Sequence, residues 1–226
     1  MRVAIIGSGN VGMALAGSLV KAGHAVTLSA KNPEHARAAA QETGARAVDG
    51  NAEAAAAAEV VILAVPTPAL DDVAAELRSI SGKTVVDPSN RVDPQNPGAV
   101  LDGTSNAEQL QSQLPSASVV KAFNTLFASR MADPIADGQP VDAYVAGDDE
   151  DAKQKVLELA ASIGLRPVDC GPLALARVLE GMALTNILLQ IRNNWPWQSA
   201  FRLVGPTPGL ASPTAEAVDR VMRGSG

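Results

Sequence analysis

The fold of this chain is decided by the stretch Val3-Ala4-Ile5-Ile6-Gly7-Ser8-Gly9-Asn10-Val11-Gly12 near its amino terminus. The apolar residues 3–6 predict a buried strand, and the Ala/Leu-rich residues 13–20 predict a helix. Between them the glycines have the spacing G-x-G-x-x-G. A strand, this glycine turn and a helix, in that order, are typical of the first unit of a dinucleotide-binding α/β fold.

Each glycine of the motif has its own physical reason. Gly7 permits the tight turn out of the strand, and Gly9 lets the backbone approach a pyrophosphate because it has no Cβ. Gly12 allows the helix to pack closely on the sheet. The unpaired N–H groups at the positive end of the helix then face the anion. We therefore interpret the motif as a pyrophosphate site rather than as a glycine-rich turn that binds nothing.

Composition limits the partners of the chain. Its 226 residues carry a formal net charge of -6, which argues against nucleic acids and anionic membranes. Hydrophobic residues make up 46% and aromatic residues 3%, so we expect a core of Ala, Val, Leu and Ile in one large domain or one domain with a small appendage. The single Cys170 cannot form an internal disulfide, and we find no signal peptide and no apolar run of membrane length. These features predict a soluble cytoplasmic protein.

The residues after the second strand, predicted at 25–28, indicate which dinucleotide is bound. An NAD site usually has Asp or Glu here to bind the ribose 2′-hydroxyl. This chain has Ser29-Ala30-Lys31-Asn32, and its first carboxylate comes only at Glu34. The hydroxyl of Ser29 and the ammonium of Lys31 suit a 2′-phosphate better, which favours NADP. The alternative is that Lys31 is a solvated loop residue.

The remaining pattern predicts an α/β fold, a Rossmann-type, doubly wound, mostly parallel sheet with a small C-terminal helical portion. We expect a dinucleotide-binding domain over residues 1–168 and a helical segment and tail over 169–226. Pro33 begins one helix and Asn51 caps the next. Further strands are predicted at 45–48, 60–65, 83–87, 118–123, 142–146 and 166–168, and helices at 34–43, 52–58, 69–77, 107–114, 149–163 and 173–192.

The last long helix, predicted at 173–192, is apolar on nearly all sides, so we expect it to be buried within the monomer or against a partner. A homodimer contact is the favoured interpretation because little chain remains to cover it. Residues 193–201 hold both tryptophans, and the tail from Gly205 is rich in Pro, Gly and Ser, with one short helix at 214–222.

Four segments of the chain form one ordered set of motifs. They are Gly7–Gly12 with Ser29–Lys31, Leu63-Ala64-Val65-Pro66, Val120-Lys121-Ala122-Phe123-Asn124-Thr125-Leu126, and Asp169-Cys170-Gly171-Pro172-Leu173-Ala174-Leu175-Ala176-Arg177-Val178-Leu179-Glu180. In this order they resemble the F420-dependent NADP oxidoreductase family, which includes the oxidoreductase domain of the STEAP metalloreductases. The resemblance implies a Rossmann domain and hydride transfer between NADPH and a deazaflavin or flavin lying against the nicotinamide.

The resemblance also implies residue roles. Pyrophosphate contacts fall to Ser8, Gly9, Asn10 and Val11, and 2′-phosphate contacts to Ser29 and Lys31. The nicotinamide and ribose would be lined by Val65, Pro66 and Asn90, and the meeting place of the two rings by Asn124, Thr125, Leu126 and Ala128. The chain departs from the family at two positions, because archaeal members that use F420 have His in place of Asn124 and many relatives have an aromatic residue in place of Thr67. The second cofactor therefore stays open, with F420 first and FMN or FAD second.

Hydride transfer needs positioned rings more than an acid or a base, which agrees with the absence of an evident catalytic pair in the sequence. We expect His24 and His35 on the surface, away from the carboxyl ends of strands, and no structural metal. The acidic run 148–151 is interpreted as the start of a helix. Lys121 would bind either a cofactor phosphate or Asp87.

One further contact and two other functions remain as hypotheses. Arg177 and Glu180, one helical turn apart, are expected to pair. An NADP(H)-binding sensor without a second cofactor is the main alternative function. A β-hydroxyacid dehydrogenase is less favoured, because the chain is short and residues 172–192 contain no Lys.

Overall fold

The structure is a computed structural model that describes residues 1–91, 95–96, 98–99 and 103–205. The short helix predicted at 214–222 and the tail beyond Gly205 lie outside the described residues.

The centre of the fold is a sheet whose neighbouring strands run parallel, except that β9 is antiparallel to β6. The strand order is β10-β9-β6-β5-β4-β1-β2-β3, and β7 and β8 form a separate small hairpin. This arrangement confirms the predicted doubly wound, mostly parallel sheet. The strands are β1 Arg2–Ile6, β2 Ala25–Ser29, β3 Arg46–Ala47, β4 Val60–Leu63, β5 Thr84–Asp87, β6 Ser118–Lys121, β7 Ile135–Ala136, β8 Gln139–Pro140, β9 Asp142–Gly147 and β10 Arg166–Asp169.

Helices cover both faces of the sheet, because successive side chains of the central strands point to opposite sides. In β1, Val3 and Ile5 join the core on one face, while Ala4 and Ile6 join the core on the other. The first core takes apolar residues from α1, α2 and α7, and the second from α3, α4 and α5. The helices are α1 Asn10–Lys21, α2 Pro33–Thr43, α3 Asn51–Ala56, α4 Leu70–Glu76, α5 Asn106–Gln113, α6 Ala128–Ala132, α7 Glu150–Ser162 and α8 Ala176–Asn193, with 3-10 turns at Thr67–Ala69 and Leu173–Leu175.

The order of the strands positions the site. The chain builds β2 and β3 on one side of β1, then returns to place β4, β5 and β6 on the other. The reversal leaves a crevice beyond the carboxyl ends of β1 and β4, which is where open α/β sheets bind ligands.

The cap predicted for α3 is wrong. Gly50 is the N-cap, and Asn51 is the first helical residue. The Asn51 side chain instead accepts a hydrogen bond from Ser29 Oγ at 2.8 Å and donates to Glu76 Oε2 at 2.7 Å. The Asn51 side chain thus connects α3 to β2 and α4. A preference for Asn at helix caps does not indicate such contacts between distant elements.

Helix α8 differs from the expected all-apolar helix. It buries Glu180, Asn186 and Gln190, while Val178 and Ile191 are 52% and 55% exposed. By length and composition the segment Leu173–Asn193 is long and apolar enough to cross a membrane. Of its most apolar stretch of 18 residues, 39% is buried inside the protein.

The predicted pair of Arg177 with Glu180 is also wrong. Arg177 binds Glu108 of α5, and Glu180 binds Lys121. The two side chains have different partners because Glu180 is directed into the core while Arg177 lies at the contact with α5.

Candidate functional site

The three glycines of the turn between β1 and α1 differ in the space around them. A Cβ on Gly7 would lie 2.1 Å from the carbonyl oxygen of Ala64, and one on Gly12 would lie 2.0 Å from the carbonyl oxygen of Gly7. Gly7 also has a φ of 112°. A Cβ on Gly9, in contrast, would meet no protein atom within 4 Å. The backbone packing thus requires Gly7 and Gly12, whereas Gly9 borders open space.

The amino terminus of α1 opens onto this space. Gly9 is the N-cap residue, no side chain caps the helix, and its first turn carries no acidic residue. Helix amides that lack an intrahelical acceptor, together with the positive end of the helix dipole, favour an anion. The amino terminus of α1 is therefore an open helix end of the kind that binds anions.

A cavity of about 710 Å³ extends from the glycine turn toward the end of β2. It is lined by Ser8 and by the exposed Lys31, Asn32 and His35. The prediction that His35 lies away from the carboxyl ends of strands is therefore wrong, because α2 starts shortly after β2 and its first turn borders the cavity. Ser29 does not line the cavity, since its side chain is fully buried against Asn51.

Two further cavities continue the crevice. One of about 330 Å³ lies between α1 and the ends of β4 and β5, and it is bordered by Val11, Val65, Pro66 and Asn90. It shares Gly9 with the first cavity, and Asn90 with a third cavity of about 480 Å³. The three cavities are contiguous along the carboxyl edge of the sheet.

The third cavity is built by the segment that follows β6. Phe123 is fully buried with a φ of 64°, and this left-handed backbone turns the chain at the end of the strand. The turn brings the predicted residues Asn124, Thr125, Leu126 and Ala128 to the cavity wall. Side chains from α6, α8 and the segment after α8 complete the wall, namely Met131, Ala183, Asn186, Ile187, Pro196 and Trp197.

Two residues that line this cavity each have a buried polar atom without a hydrogen-bond partner among the described residues. These atoms are Oδ1 of Asn124 and Oγ1 of Thr125. Asn124 and Thr125 are only 4% and 3% exposed, so water reaches these atoms poorly in the free protein. Unpaired buried polar atoms cost free energy, and a ligand with polar hydrogen atoms at this place would remove the cost.

A buried charge cluster lies behind the crevice. Nζ of Lys121 is 2.8 Å from Oδ2 of Asp87 and 2.7 Å from Oε1 of Glu180, and it donates to the carbonyl oxygen of Ser89 at 2.7 Å. The Lys121, Asp87 and Glu180 side chains are fully buried. The structure therefore assigns Lys121 to Asp87, one of its two predicted partners, and adds Glu180 from α8.

Backbone groups and amide side chains connect this cluster to the crevice. Asn106 donates its backbone N–H to Glu180 at 3.1 Å and its side-chain amide to Ser89 Oγ at 2.8 Å. Thr67 Oγ1 donates to the carbonyl oxygen of Asn90 at 3.1 Å. The sequence did not predict a role for Asn106. It begins a helix of mostly polar residues, and such a pattern does not indicate a buried side chain.

The contact between α5 and α8 has its own ion pair. Arg177 donates to both carboxylate oxygens of Glu108 at 2.8 and 2.5 Å. This contact lowers the pKa of Glu108 to about 2; burial acts in the opposite direction, and hydrogen bonds from Ser105 add to the lowering. Glu108 also closes a capping box with Ser105 at the start of α5.

The acidic run at the start of α7 and Cys170 lie outside the three cavities. Asp149 caps α7 by accepting from the backbone N–H of Ala152, as the acidic run predicted. Burial raises the pKa of the Cys170 thiol to about 11. Across the part of the chain that the structure describes, no three His, Cys, Asp or Glu side chains come together as a metal site.

Comparisons with known proteins agree with this geometry. A family model described as NADP oxidoreductase coenzyme F420-dependent matches residues 2–91. The F420-dependent NADP reductase of Methanothermobacter marburgensis is 35% identical over 213 residues, 85% of this chain and 94% of that protein. A solved structure from Arthrobacter sp. FB24, named as a candidate F420-dependent NADP-reductase, has a TM-score of 0.78 and 29% identity, covering 91% of this chain and 100% of that one.

Metalloreductase STEAP3 of Rattus norvegicus is 34% identical over 183 residues. The match includes 81% of this chain but only 36% of STEAP3. The predicted Rossmann-type fold, the relation to the STEAP proteins and the assignment as an NADP-dependent oxidoreductase are confirmed by these matches. With 35% identity extending over 94% of the Methanothermobacter reductase, the chain belongs to the F420-dependent NADP oxidoreductase family.

Proposed function

We propose that this protein binds NADP(H) along the crevice and transfers a hydride between it and a flavin-type cofactor, with F420 as the first candidate and FMN or FAD as the second. One observation carries the proposal: the contiguous cavities run from Lys31 past Gly9 to the unpaired polar atoms of Asn124 and Thr125. The crevice thus offers a cation at one end, a backbone anion cradle in the middle and a polar pocket at the other end. The names of the relatives support NADP and F420.

The adenosine half of NADP fits the first cavity. Ser8, Gly9, Asn10 and Val11 would hold the pyrophosphate with the amides of the α1 terminus, and Gly7 and Gly12 would keep the turn in shape. Lys31 would bind the 2′-phosphate, with Asn32 and His35 beside it. Ser29 supports this wall from behind through Asn51 rather than by a direct contact.

The nicotinamide half fits the narrow cavity and the start of the third. Val65, Pro66 and Asn90 would border the ribose and the ring. Asn124 Oδ1 and Thr125 Oγ1 would accept from the carboxamide N–H groups, which pairs the two atoms that otherwise lack a partner. Leu126 and Ala128 lie farther along the same wall, where the second ring system would enter.

Bound NADPH supplies the hydride, and the protein supplies position. The described residues around the third cavity present amide, hydroxyl and apolar side chains, and their charged neighbour Lys121 is held in a buried cluster. Proximity and orientation of two planar rings are sufficient for this reaction class. Asn124, Thr125 and Leu126 are therefore proposed to orient the rings and not to transfer protons.

An absorbance experiment tests the proposal. The protein is mixed anaerobically with NADPH and either F420 or FMN, and the absorbance bands of both chromophores are followed together. We expect equal molar loss of NADPH and of the oxidised acceptor, and much slower turnover with NADH. Tight NADPH binding without turnover of either acceptor, or of FAD, would instead favour an NADP(H)-binding sensor. The resemblance implies His at the position of Asn124 in archaeal members that use F420, and this departure favours the second function.

We also propose a cytoplasmic homodimer that binds neither nucleic acid nor membrane. The exposed apolar side chains Val178, Leu189 and Ile191 on α8 support a contact between copies through residues 169–226, next to a dinucleotide domain over residues 1–168. Sedimentation of the wild-type protein and of a Val178→Glu, Ile191→Glu double variant measures this directly. A dimer that becomes a monomer in the variant supports the proposal, and a wild-type monomer contradicts it.

A further inference from the structure

The segment that follows α8 turns back across the third cavity. Asn194 ends the helix with a φ of 50°, and Trp197 has a φ of 58°. Two non-glycine residues in the left-handed region, three positions apart, are uncommon and need surrounding contacts that hold them. We call residues 195–199 the strap.

Helix α8 holds the strap from one side with two buried polar side chains. Gln190, 1% exposed, accepts from the backbone N–H of Trp197 at 2.9 Å and donates to Ser199 Oγ at 2.7 Å. Ser199 Oγ in turn donates to Oδ1 of Asn186 at 2.5 Å. The polar side chains that interrupt the apolar pattern of α8 are thus used to fix this segment.

Helix α6 holds the strap from the other side. Ser129 Oγ donates to the carbonyl oxygen of Trp197 at 2.6 Å, and Nε of Arg130 donates to the carbonyl oxygen of Gln198 at 2.5 Å. Both backbone polar groups of Trp197 therefore have partners from different helices. This double attachment fixes the backbone from which the indole projects.

The indole of Trp197 lines the third cavity and packs edge-on against Phe127, with ring centroids 5.2 Å apart and an interplanar angle of 77°. It remains 45% exposed in the free protein. Trp195 has the same exposure of 45%, but it does not line this cavity. The two tryptophans therefore form a matched pair, one inside the candidate site and one outside it.

We propose that Trp197 is a specificity-determining residue that stacks on the hydride acceptor and selects planar aromatic ring systems. The inference rests on the proposed function and adds the residue that recognises the ring system of the acceptor. A fixed indole offers a large apolar face at little cost in conformational entropy, and aromatic stacking favours a flat π-system over a flexible aliphatic carbonyl. Met131 and Ile187 extend the apolar wall next to it.

Binding measurements test the inference without requiring turnover. The NADP⁺-loaded full-length protein is titrated with FMN and, separately, with F420 in the wild type, Trp197→Leu, Trp197→Phe and Trp195→Leu. We expect Trp197→Leu to weaken acceptor binding about tenfold and to abolish the shift of the acceptor absorbance band that stacking causes. Trp197→Phe should recover part of both, and Trp195→Leu should match the wild type.

The affinity for NADPH, measured in the same variants, separates stacking from damage to the fold. It should change less than about twofold in all of them, and in turnover the KM for the acceptor should rise while the KM for NADPH stays constant. Equal acceptor affinity in Trp197→Leu and the wild type overturns this inference and leaves the proposed function standing. Failure of wild-type protein to bind either acceptor overturns both.

Discussion

Asn90 and Asn124 are joined by two hydrogen bonds across the end of the sheet. Nδ2 of Asn90 donates to the carbonyl oxygen of Asn124, and Nδ2 of Asn124 donates to Oδ1 of Asn90, both at 2.9 Å. Each amide nitrogen is thus directed to the other residue, and Oδ1 of Asn124 stays unpaired, as does Oγ1 of Thr125. The pair fixes two neighbouring loops at the wall of the third cavity.

The unpaired hydroxyl of Thr125 gives a prediction with opposite signs for stability and binding. Thr125→Val keeps the side-chain shape but removes a buried polar group without a partner, so the free energy of unfolding of the free protein should rise by about 1 kcal/mol. NADPH affinity should fall about tenfold because the carboxamide loses a partner. Urea unfolding and calorimetric titration measure the two effects. Thr125→Ser, which retains the hydroxyl, is the control, and a stabilised variant with unchanged NADPH affinity would place the carboxamide elsewhere.

Alanine substitutions at Gly9 and Gly17 should distinguish an effect on NADPH binding from an effect on stability, because Gly9 caps α1 and Gly17 lies within it. Gly9→Ala adds a methyl group that meets no protein atom within 4 Å, at a φ of -78° that alanine adopts readily. The free energy of unfolding should therefore fall by less than about 1 kcal/mol. NADPH affinity should fall about tenfold or more, because the methyl group occupies the pyrophosphate position. Gly17→Ala, whose Cβ would lie 3.9 Å from Thr43, should raise stability by roughly 0.5–1 kcal/mol and leave NADPH binding unchanged. Full NADPH affinity in Gly9→Ala would show that the pyrophosphate lies elsewhere.

Lys31 should decide between NADPH and NADH. Lys31→Glu replaces a cation at the proposed 2′-phosphate by an anion, so NADPH affinity should fall about 10- to 100-fold while NADH affinity is spared. Lys155→Glu on the exposed face of α7 changes the net charge equally and should affect neither cofactor. Calorimetric titration with both cofactors compares the variants. The assignment is wrong if NADH binds the unaltered protein more tightly than NADPH.

The buried cluster around Lys121 predicts two losses of stability of different size. Lys121→Met leaves the carboxylates of Asp87 and Glu180 buried without their cation, which should cost about 3–5 kcal/mol. Glu180→Gln keeps the volume and leaves Lys121 balanced by Asp87, so it should cost less than Lys121→Met. Urea unfolding of both variants gives the comparison. A Lys121→Met variant as stable as the wild type would mean that the cluster is not an ion-paired core.

Glu108 predicts a pH window for stability. Its pKa is about 2 in the folded protein, below the usual 4.5, mainly because Arg177 donates to it. A lowered pKa stabilises the folded state at pH values above 4.5, and this stabilisation is lost as the pH falls from 4.5 toward about 2. Glu108→Gln and Arg177→Gln should each flatten the dependence of the unfolding free energy on pH in that window. An unchanged slope in both variants would contradict the role of this pair.

The sequence predicted the parts of the fold that depend on local pattern. The glycine spacing after β1 identified the turn, and continuous apolar runs identified β4 and the neighbouring strands, because strands buried on both faces have no polar alternation. The edge residues Pro66, Asn90 and Asn124 were also predicted, through the resemblance to the family, and each lies shortly after the end of a strand. All of them line the crevice in the structure.

What the sequence did not predict depends on contacts between distant elements. His35 reaches the first cavity only because α2 begins at the end of β2, and Arg177 meets Glu108 only because α8 lies beside α5. The hairpin of β7 and β8 and the burial of Gln190 have the same origin. Residue spacing along one helix gives no information on which other helix each face meets.

The pairing of Glu180 with Lys121 couples the carboxyl-terminal helix α8 to strand β6 of the sheet. A recombination event that exchanges the carboxyl-terminal helix between homologues has to carry a side chain at this place that accepts hydrogen bonds, or Lys121 and the backbone N–H groups of Arg91 and Asn106 each lose an acceptor. Chimaeras assembled at a junction before α8 should therefore be more stable when donor and recipient share both members of this pair.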